Sequence, residues 1–295
     1  MRFFLYFLLA VVALWMLAVQ SGCFTMRTPD SAWPQKMQAH GQALPPLFSD
    51  VRMPVPPHRT VHAVGVSGAD TLPLVVLVHG SPGSADAYLT YLADTALSRA
   101  ARMVALDRPG FGYTSGFGKP EPSQAAQAAA VLAVLDQVAP GQRAVLVGHS
   151  LGGPVVCRFA MDYPERTAGL VLVAASIDPS QERHPWWQAV VDAPPVRWLT
   201  PKSLWASNAE IIPLERELEA MLPLWPRIVC PVRVLHAVND RLVPVANAEF
   251  ARRMLTNSPD LKVEILPTGD HFILWSRQDS VRKAILELCA KPVRG

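Results

Sequence analysis

The sequence predicts an α/β domain built on a mostly parallel central sheet with helices on both faces. Apolar, β-branched runs alternate with helical patterns along most of the chain, as in βαβ units. Composition agrees, because 50% of the 295 residues are hydrophobic and only 17% are charged, which suits one large core. The strand-like runs lie at 60–66, 73–79, 102–106, 143–148, 168–174, 231–237 and 261–266, and the helical patterns near 85–100, 123–138, 150–162, 243–255 and 278–290.

The candidate nucleophile is Ser150, in a Gly-x-Ser-x-Gly motif that runs from Gly148 to Gly152. An apolar run precedes this motif and a helical pattern follows it, which is the sequence form of a nucleophile elbow. A side chain at either glycine would collide across the turn that holds the serine in strained backbone. The motif therefore predicts a serine whose hydroxyl is exposed at the end of a strand.

A serine of this kind needs a base and an acid that orients the base, both further along the chain. His271 lies in the loop between the last strand and the last helix, and Asp240 lies just past the strand 231–237. The carboxyl ends of parallel strands meet at one edge of a sheet, so we expect both side chains beside Ser150. Asp178, just past the preceding strand, is an alternative acid, although it also fits a turn before Pro179.

The oxyanion hole is expected from two backbone N–H groups, one after the nucleophile and one from an earlier strand-end loop. Leu151 supplies the first, and Ser81 in the loop His79-Gly80-Ser81-Pro82-Gly83 supplies the second. We expect His79 to brace this loop and not to act as a base.

Five motifs appear in order over roughly residues 58–290: His79-Gly80-Ser81-Pro82-Gly83, Asp107-Arg108-Pro109-Gly110-Phe111-Gly112, Gly148-His149-Ser150-Leu151-Gly152-Gly153, Asn239-Asp240 with Val243-Pro244, and Gly269-Asp270-His271. Their order and spacing resemble the α/β-hydrolase fold family, in particular its small lipase/esterase-like serine hydrolases. The resemblance implies Ser150 as nucleophile, His271 as base and Asp240 as acid. Dehalogenase and epoxide-hydrolase relatives carry aspartate at the nucleophile position, so a serine here favours acyl-transfer hydrolysis.

The resemblance also implies a cap over the site, at about 177–228 within a hydrolase domain of 58–295. Prolines break this interval, and it holds five of the eight tryptophans. The expectation is an apolar roof, with Trp186, Trp187 or Trp198 facing the substrate and an apolar acyl or alcohol group preferred. The alternative is that the tryptophans only attach the cap to the core.

The N-terminal residues predict a leader (1–23) and a proline-rich linker (24–57). Phe3 to Val19 is unbroken apolar sequence after Arg2 and ends at Gln20-Ser21-Gly22-Cys23. Small residues before a cysteine resemble the lipobox of bacterial lipoproteins, although Gln20 departs from it. Lipidation at Cys23, an uncleaved membrane anchor, simple secretion and a coincidental match remain open. All but the coincidence place the domain outside the cytoplasm, in the cell envelope.

The leading function is hydrolysis of a carboxylic ester, with a small-molecule ester or lipid as substrate and with the membrane as partner through the leader. The same triad could cleave a carbon–carbon bond or an amide or act as a perhydrolase, and a non-catalytic envelope lipoprotein that binds a ligand is a further alternative.

The net charge is only +3 and no basic aromatic patch occurs, so nucleic acid is not expected. No metal or nucleotide motif is present, and no cofactor is expected. Activity should fall below roughly pH 6–7, since a protonated imidazole cannot accept the serine proton.

Overall fold

A computed structural model describes residues 2–20, 26–56, 58–183, 186–194 and 196–290. Its strands are β1 Pro46–Arg52, β2 Thr60–Val66, β3 Leu74–Val78, β4 Arg102–Leu106, β5 Ala144–His149, β6 Thr167–Val173, β7 Val232–Ala237 and β8 Leu261–Leu266. Its helices are α1 Arg2–Gln20, α2 Trp33–Ala39, α3 Leu89–Leu92, α4 Thr95–Ala100, α5 Gln124–Val138, α6 Gly152–Asp162, α7 Trp187–Asp192, α8 Val196–Leu199, α9 Lys202–Ile211, α10 Leu214–Met221, α11 Ala246–Met254, α12 Ile273–Ser276 and α13 Gln278–Cys289.

The strands form one sheet in the order β1-β2-β4-β3-β5-β6-β7-β8. β1 with β2 and β2 with β4 are antiparallel, and every other pair is parallel. The chain leaves β3 toward β4 on one side and returns to place β5 on the other side. That reversal opens a crevice beyond the carboxyl ends of β3 and β5, which is where open α/β sheets bind ligands. The predicted α/β-hydrolase fold class is confirmed.

Both faces of the sheet are buried, which explains the continuous apolar runs in the central strands. In β3, Leu74, Val76 and Val78 point into one core layer, while Val75 and Leu77 point into the other. The first layer is filled by α5, α6, α10 and α11 and the second by α2, α4 and α13. Because side chains alternate along a strand, each strand supplies both layers.

The range predicted as a linker, 24–57, contains structured elements. The side chains of Trp33 and Met37, both on α2, are buried in the core layer formed with α4 and α13. β1 pairs along its whole length with β2, from Pro46 opposite Val66 to Arg52 opposite Thr60. The prolines at the edges of these elements led to the prediction of a linker, but residues 30–52 form part of the folded domain.

The N-terminal helix α1 carries its apolar side chains in the open, with Phe3 91% exposed and Phe7 68% exposed. The helix contacts the cap, where Trp15 Nε1 donates a hydrogen bond to the carbonyl of Leu199 at 2.9 Å. In the part of the chain that the structure describes, no helix combines the length and the apolar character needed to cross a membrane. Cys23, the predicted lipidation site, lies outside the described residues.

Candidate active site

Ser150 sits on a strained turn between β5 and α6, as the motif predicts. Its φ is +52°, in the left-handed region that a serine rarely adopts. The turn is tight because the flanking glycines lack a Cβ: one at Gly148 would lie 2.4 Å from the carbonyl oxygen of Gly152. One at Gly152 would lie 2.2 Å from the carbonyl oxygen of Val78, at the end of β3. The elbow therefore depends on close backbone approach between β3, β5 and α6.

The structure brings Ser150, His271 and Asp240 together, although they come from three distant loops. His271 Nε2 lies 3.0 Å from Ser150 Oγ, and His271 Nδ1 lies 2.8 Å from Asp240 Oδ2. All three residues are buried, with 5 to 7% of their surface exposed. A hydroxyl, an imidazole and a carboxylate in this order can move a proton from the serine to the histidine.

Asp240 is held in its ionised form by its neighbours. Burial would raise the pKa of its carboxyl group, but hydrogen bonds from His236 and His271 and from the backbone N–H of Val243 outweigh burial and hold that pKa well below its ordinary value. Oδ1 accepts the N–H groups of Leu242 and Val243 at 2.9 and 2.8 Å. The other oxygen thus remains directed at His271.

Asp178, the alternative acid, contacts Ser180 and, at 3.9 Å, Arg253. Its Oδ1 accepts hydrogen bonds from the backbone N–H and the hydroxyl of Ser180, at 3.0 and 2.7 Å. It precedes a short 3-10 helix at Pro179–Gln181 and caps it. Since His271 contacts Asp240, the structure favours Asp240 as the acid of this cluster.

Two backbone N–H groups are free at the position expected for an oxyanion hole. Ser81 and Leu151 line the same pocket as Ser150 and His271. Within the described residues, the N–H groups of Ser81 and Leu151 donate to no protein acceptor. They are therefore available to a negatively charged oxygen beside Ser150.

The pocket above Ser150 has a volume of about 280 Å³. Its aliphatic lining comes from Leu151, Ile211, Leu242, Val243 and Pro244, and its polar lining from the cap includes Gln181, Glu182, Arg183 and Gln188. A larger cavity of about 450 Å³ is lined by residues of β1, β2 and β4. Ser150, Asp240 and His271 do not line it.

Trp186 and Trp198 do not form part of the expected apolar roof. Trp186 and Trp198 are 80% and 57% exposed and do not line the pocket, while the side chain of Trp187 lies outside the described residues. Trp186, which precedes α7, and Trp198, on α8, lie instead on the outer surface of the cap. Trp225 instead packs in the core against Phe250, so one tryptophan does attach the cap to the domain.

Two neighbouring histidines support the loops of the site. Burial, helped by the nearby His271, lowers the pKa of His149 to about 3, so His149 is neutral. Its Nε2 lies 3.1 Å from the carbonyl oxygen of His271, to which the Nε2–H group can donate a hydrogen bond. His79 Nε2 accepts the backbone N–H of Arg108 at 3.0 Å, which leaves the ring proton on Nδ1, 2.6 Å from the carbonyl oxygen of Gly80. His79 thus joins the loop of Gly80 and Ser81 to the loop of Arg108.

Two contacts of the site have no counterpart in the sequence analysis. His236, which lies within the buried strand β7, places Nε2 3.4 Å from Asp240 Oδ2 and 2.9 Å from the carbonyl oxygen of Val243. Arg108 forms a buried ion pair with Glu210 of the cap, at 2.8 Å. The spacing of His236 and Asp240 could have signalled the first contact, but no local pattern singles out Glu210.

No group of three or more His, Cys, Asp or Glu side chains within the described ranges is arranged to hold a metal ion.

Comparisons with known proteins agree with the fold. A sequence model described as the alpha/beta hydrolase family matches residues 75–284. The chain is 22% identical over 268 residues to a 2-hydroxy-6-oxononadienedioate/2-hydroxy-6-oxononatrienedioate hydrolase of a Pseudomonas species, covering 79% of this chain and 92% of that protein. It is 31% identical over 156 residues to a mitochondrial palmitoyl-protein thioesterase of Mus musculus, covering 48% of this chain and 49% of the thioesterase, about half of each.

Among solved structures, a bacterial membrane phospholipase A aligns with a TM-score of 0.65 at 21% identity, over 98% of this chain and 99% of that one. This likeness concerns the fold alone. The family match, by contrast, extends over most of the sheet and both loops that carry Asp240 and His271. The chain belongs to the alpha/beta hydrolase family and is an enzyme of the hydrolase class.

Proposed function

We propose that this protein is a serine hydrolase that cleaves a carboxylic ester through an acyl-enzyme at Ser150. The observation that carries the proposal is the continuous contact from Ser150 Oγ to His271 Nε2 at 3.0 Å and from His271 Nδ1 to Asp240 at 2.8 Å. The free N–H groups of Ser81 and Leu151 support it, because a catalytic serine needs a place for the oxyanion.

In the first half of the reaction, Ser150 Oγ attacks the acyl carbon while His271 Nε2 takes its proton. The carbonyl oxygen becomes an oxyanion that accepts hydrogen bonds from the N–H groups of Ser81 and Leu151. The tetrahedral intermediate then collapses, and His271 returns the proton to the leaving alcohol. In the second half, His271 takes a proton from water, the hydroxide attacks the acyl carbon, and Ser150 leaves with that proton. Asp240 stabilises the imidazolium in both halves.

The substrate is a small ester with an apolar group on one side of the scissile bond. This is supported by the volume of about 280 Å³ and by the aliphatic side chains of Leu151, Ile211 and Val243 in the lining. Pockets for drug-sized ligands begin at about 300 Å³, so a long acyl chain would have to extend out of the pocket.

The second candidate is hydrolysis of a carbon–carbon bond next to a ketone. The Pseudomonas relative named for a dienedioate substrate aligns over 92% of its own length. Four polar cap residues line the pocket and could bind a polar substrate, namely Gln181, Glu182, Arg183 and Gln188. This candidate uses the same Ser150 and His271, so only the substrate that the enzyme turns over distinguishes carbon–carbon hydrolysis from ester hydrolysis.

The test is a panel of p-nitrophenyl esters from acetate to octanoate together with a ring-cleavage-type diketone, with wild type and Ser150→Ala. The proposal predicts a burst of p-nitrophenol equal to one per enzyme, highest turnover for short or medium acyl chains, and no burst for Ser150→Ala. Turnover of the diketone with no ester hydrolysis would favour the second candidate. Turnover of neither by the wild type would refute both.

We also propose that residues 1–23 bring the enzyme to the cell envelope, with Cys23 lipidated or the leader retained as an anchor. The exposed apolar side chains of α1, such as Phe3 and Phe7, support this because a soluble surface rarely carries such a stretch. Fractionation of a bacterial host that expresses wild type or Cys23→Ser, with mass analysis of the mature N-terminal peptide, tests it. Soluble, unprocessed protein in the cytoplasm would refute the proposal.

A further inference from the structure

The oxyanion loop is connected to the cap by a buried ion pair. Arg108 lies just past β4 in the loop that follows it, and Glu210 lies near the end of α9 in the cap. Arg108 Nη1 and Nη2 donate to the two carboxylate oxygens of Glu210 at 2.9 and 2.8 Å, so the pair is bidentate. Only 1% and 2% of the two side chains is exposed.

The remaining donors of Arg108 reach the backbone of the oxyanion loop. Nε donates to the carbonyl oxygen of His79 at 2.8 Å, and Nη2 also donates to the carbonyl oxygen of Gly80 at 2.9 Å. Gln127 completes the cluster, since its Oε1 accepts from Arg108 Nη1 at 2.6 Å and its Nε2 lies 3.3 Å from Glu210. The guanidinium is therefore fixed by a carboxylate on one side and directed at two loop carbonyls on the other.

The position of the Gly80 carbonyl determines the direction of the Ser81 N–H. The two groups belong to one planar trans peptide, in which the C=O and the N–H point in opposite directions. The carbonyl accepts two hydrogen bonds, from Arg108 and from the ring of His79. Since both donors lie on the carbonyl side, the Ser81 N–H is held on the opposite side of the peptide, and Ser81 lines the pocket of Ser150.

We propose that Glu210 is a positioning residue of the cap, which fixes the Gly80–Ser81 peptide through Arg108 so that the Ser81 N–H faces the oxyanion formed at Ser150. The inference rests on the proposed function, because it concerns the oxyanion of acyl transfer. Ile211, the next residue in α9, lines the substrate pocket. A shift of the end of α9 would therefore move a pocket wall and the support of the oxyanion loop together.

A merely structural ion pair would make a different prediction. Loss of the carboxylate would then lower stability and leave the kinetics of the folded enzyme unchanged. A positioning role instead lowers kcat with little change in KM, because the oxyanion exists only in the transition state and the intermediates.

The experiment compares Glu210→Gln with Glu287→Gln, which breaks a second carboxylate–arginine pair. Glu287 lies 3.0 Å from Arg233, whose side chain is also buried, and lines no part of the Ser150 pocket. Kinetics are normalised to active sites by fluorophosphonate titration. For Glu210→Gln we expect kcat for a p-nitrophenyl ester to fall by about 10- to 100-fold, short of the roughly 10²–10³ for complete loss of an oxyanion donor. KM should change by less than about threefold.

A trifluoromethyl ketone gives a second reading, because its adduct with Ser150 carries the oxyanion. Its inhibition constant should rise in parallel with the loss of kcat/KM for Glu210→Gln and stay at the wild-type value for Glu287→Gln. If Glu210→Gln does not fold, the apolar pair Arg108→Met with Glu210→Leu removes the buried charges together and keeps the volume. The same fall in kcat is expected for that pair.

Glu210→Gln with wild-type kcat and inhibition constant, or with the loss confined to KM, would overturn the inference while leaving the proposed function intact. An equal loss in Glu287→Gln would also overturn it. A wild type that neither reacts with the fluorophosphonate nor cleaves an ester would instead refute the proposed function, and the inference with it.

Discussion

Replacing Asp240 by asparagine should abolish most of the activity while leaving the fold intact. Asp240 Oδ1 accepts the N–H groups of Leu242 and Val243, so the amide oxygen of an asparagine takes that position. Its NH2 group then faces His271 Nδ1, where the carboxylate oxygen stood at 2.8 Å. Because the asparagine NH2 group is a donor, Nδ1 of His271 has to accept a hydrogen bond from it, and the ring proton moves to Nε2. The imidazole can then no longer accept the proton of Ser150.

The size of the loss follows from this wrong tautomer. In the serine-protease triad the same change lowers kcat by about 10⁴, which corresponds to about 5.5 kcal/mol of activation free energy. The assay is kcat for p-nitrophenyl butyrate near neutral pH, with Asp178→Asn as the matched control. Asp178 bonds Ser180 and makes no contact with His271, so its variant should keep kcat within about threefold. A greater loss in Asp178→Asn, or a loss below tenfold in Asp240→Asn, would refute the reasoning.

Three other changes test separate parts of the structure. Gly152→Ala would place a Cβ 2.2 Å from the carbonyl oxygen of Val78, so the paired backbone at the end of β3 would have to move. We expect this movement to lower the free energy of unfolding by about 3 kcal/mol or more. Gly68→Ala, which meets mainly flexible side chains, is the control, and equal melting temperatures would contradict the elbow geometry. The pKa of Asp240 is lower in the folded state than in the unfolded state, so the ionised carboxylate stabilises the fold fully above about pH 4 and progressively less as the pH falls toward the folded-state pKa. The difference in melting temperature between wild type and Asp240→Asn should therefore become smaller from about pH 6 to about pH 3. A difference that grows over this range would contradict the lowered pKa. Trp198→Ala should leave kcat/KM for short esters unchanged, because the indole is exposed and does not line the pocket. A tenfold loss of kcat/KM would instead support the interpretation that Trp198 faces the substrate.

The sequence was sufficient to predict the parts of this molecule that depend on local patterns. Apolar or alternating runs predicted seven of the strands, and the glycines around Ser150 predicted its strained turn, now seen at φ +52°. The loops of Asp240 and His271 could be placed because parallel strands bring their carboxyl ends to one edge.

The features that were not predicted depend on tertiary contacts. β1 is a strand because it pairs with β2, and its own sequence, with a proline at its start, carries a weak strand pattern. The exposed tryptophans of the cap and the pairing of Arg108 with Glu210, 102 positions apart, follow from how α7 to α9 pack on the domain. Composition could show that the cap is rich in tryptophan, but not which way those side chains point.

The central claim is that the Ser150 hydroxyl is activated by the imidazole beside it. The most direct measurement is the rate of covalent modification by a fluorophosphonate, with the modified peptide located by mass spectrometry. We expect one adduct per chain on Ser150, formed at least about 10³-fold more slowly when His271 is replaced by alanine. An adduct elsewhere, or a rate that does not depend on His271, would contradict it.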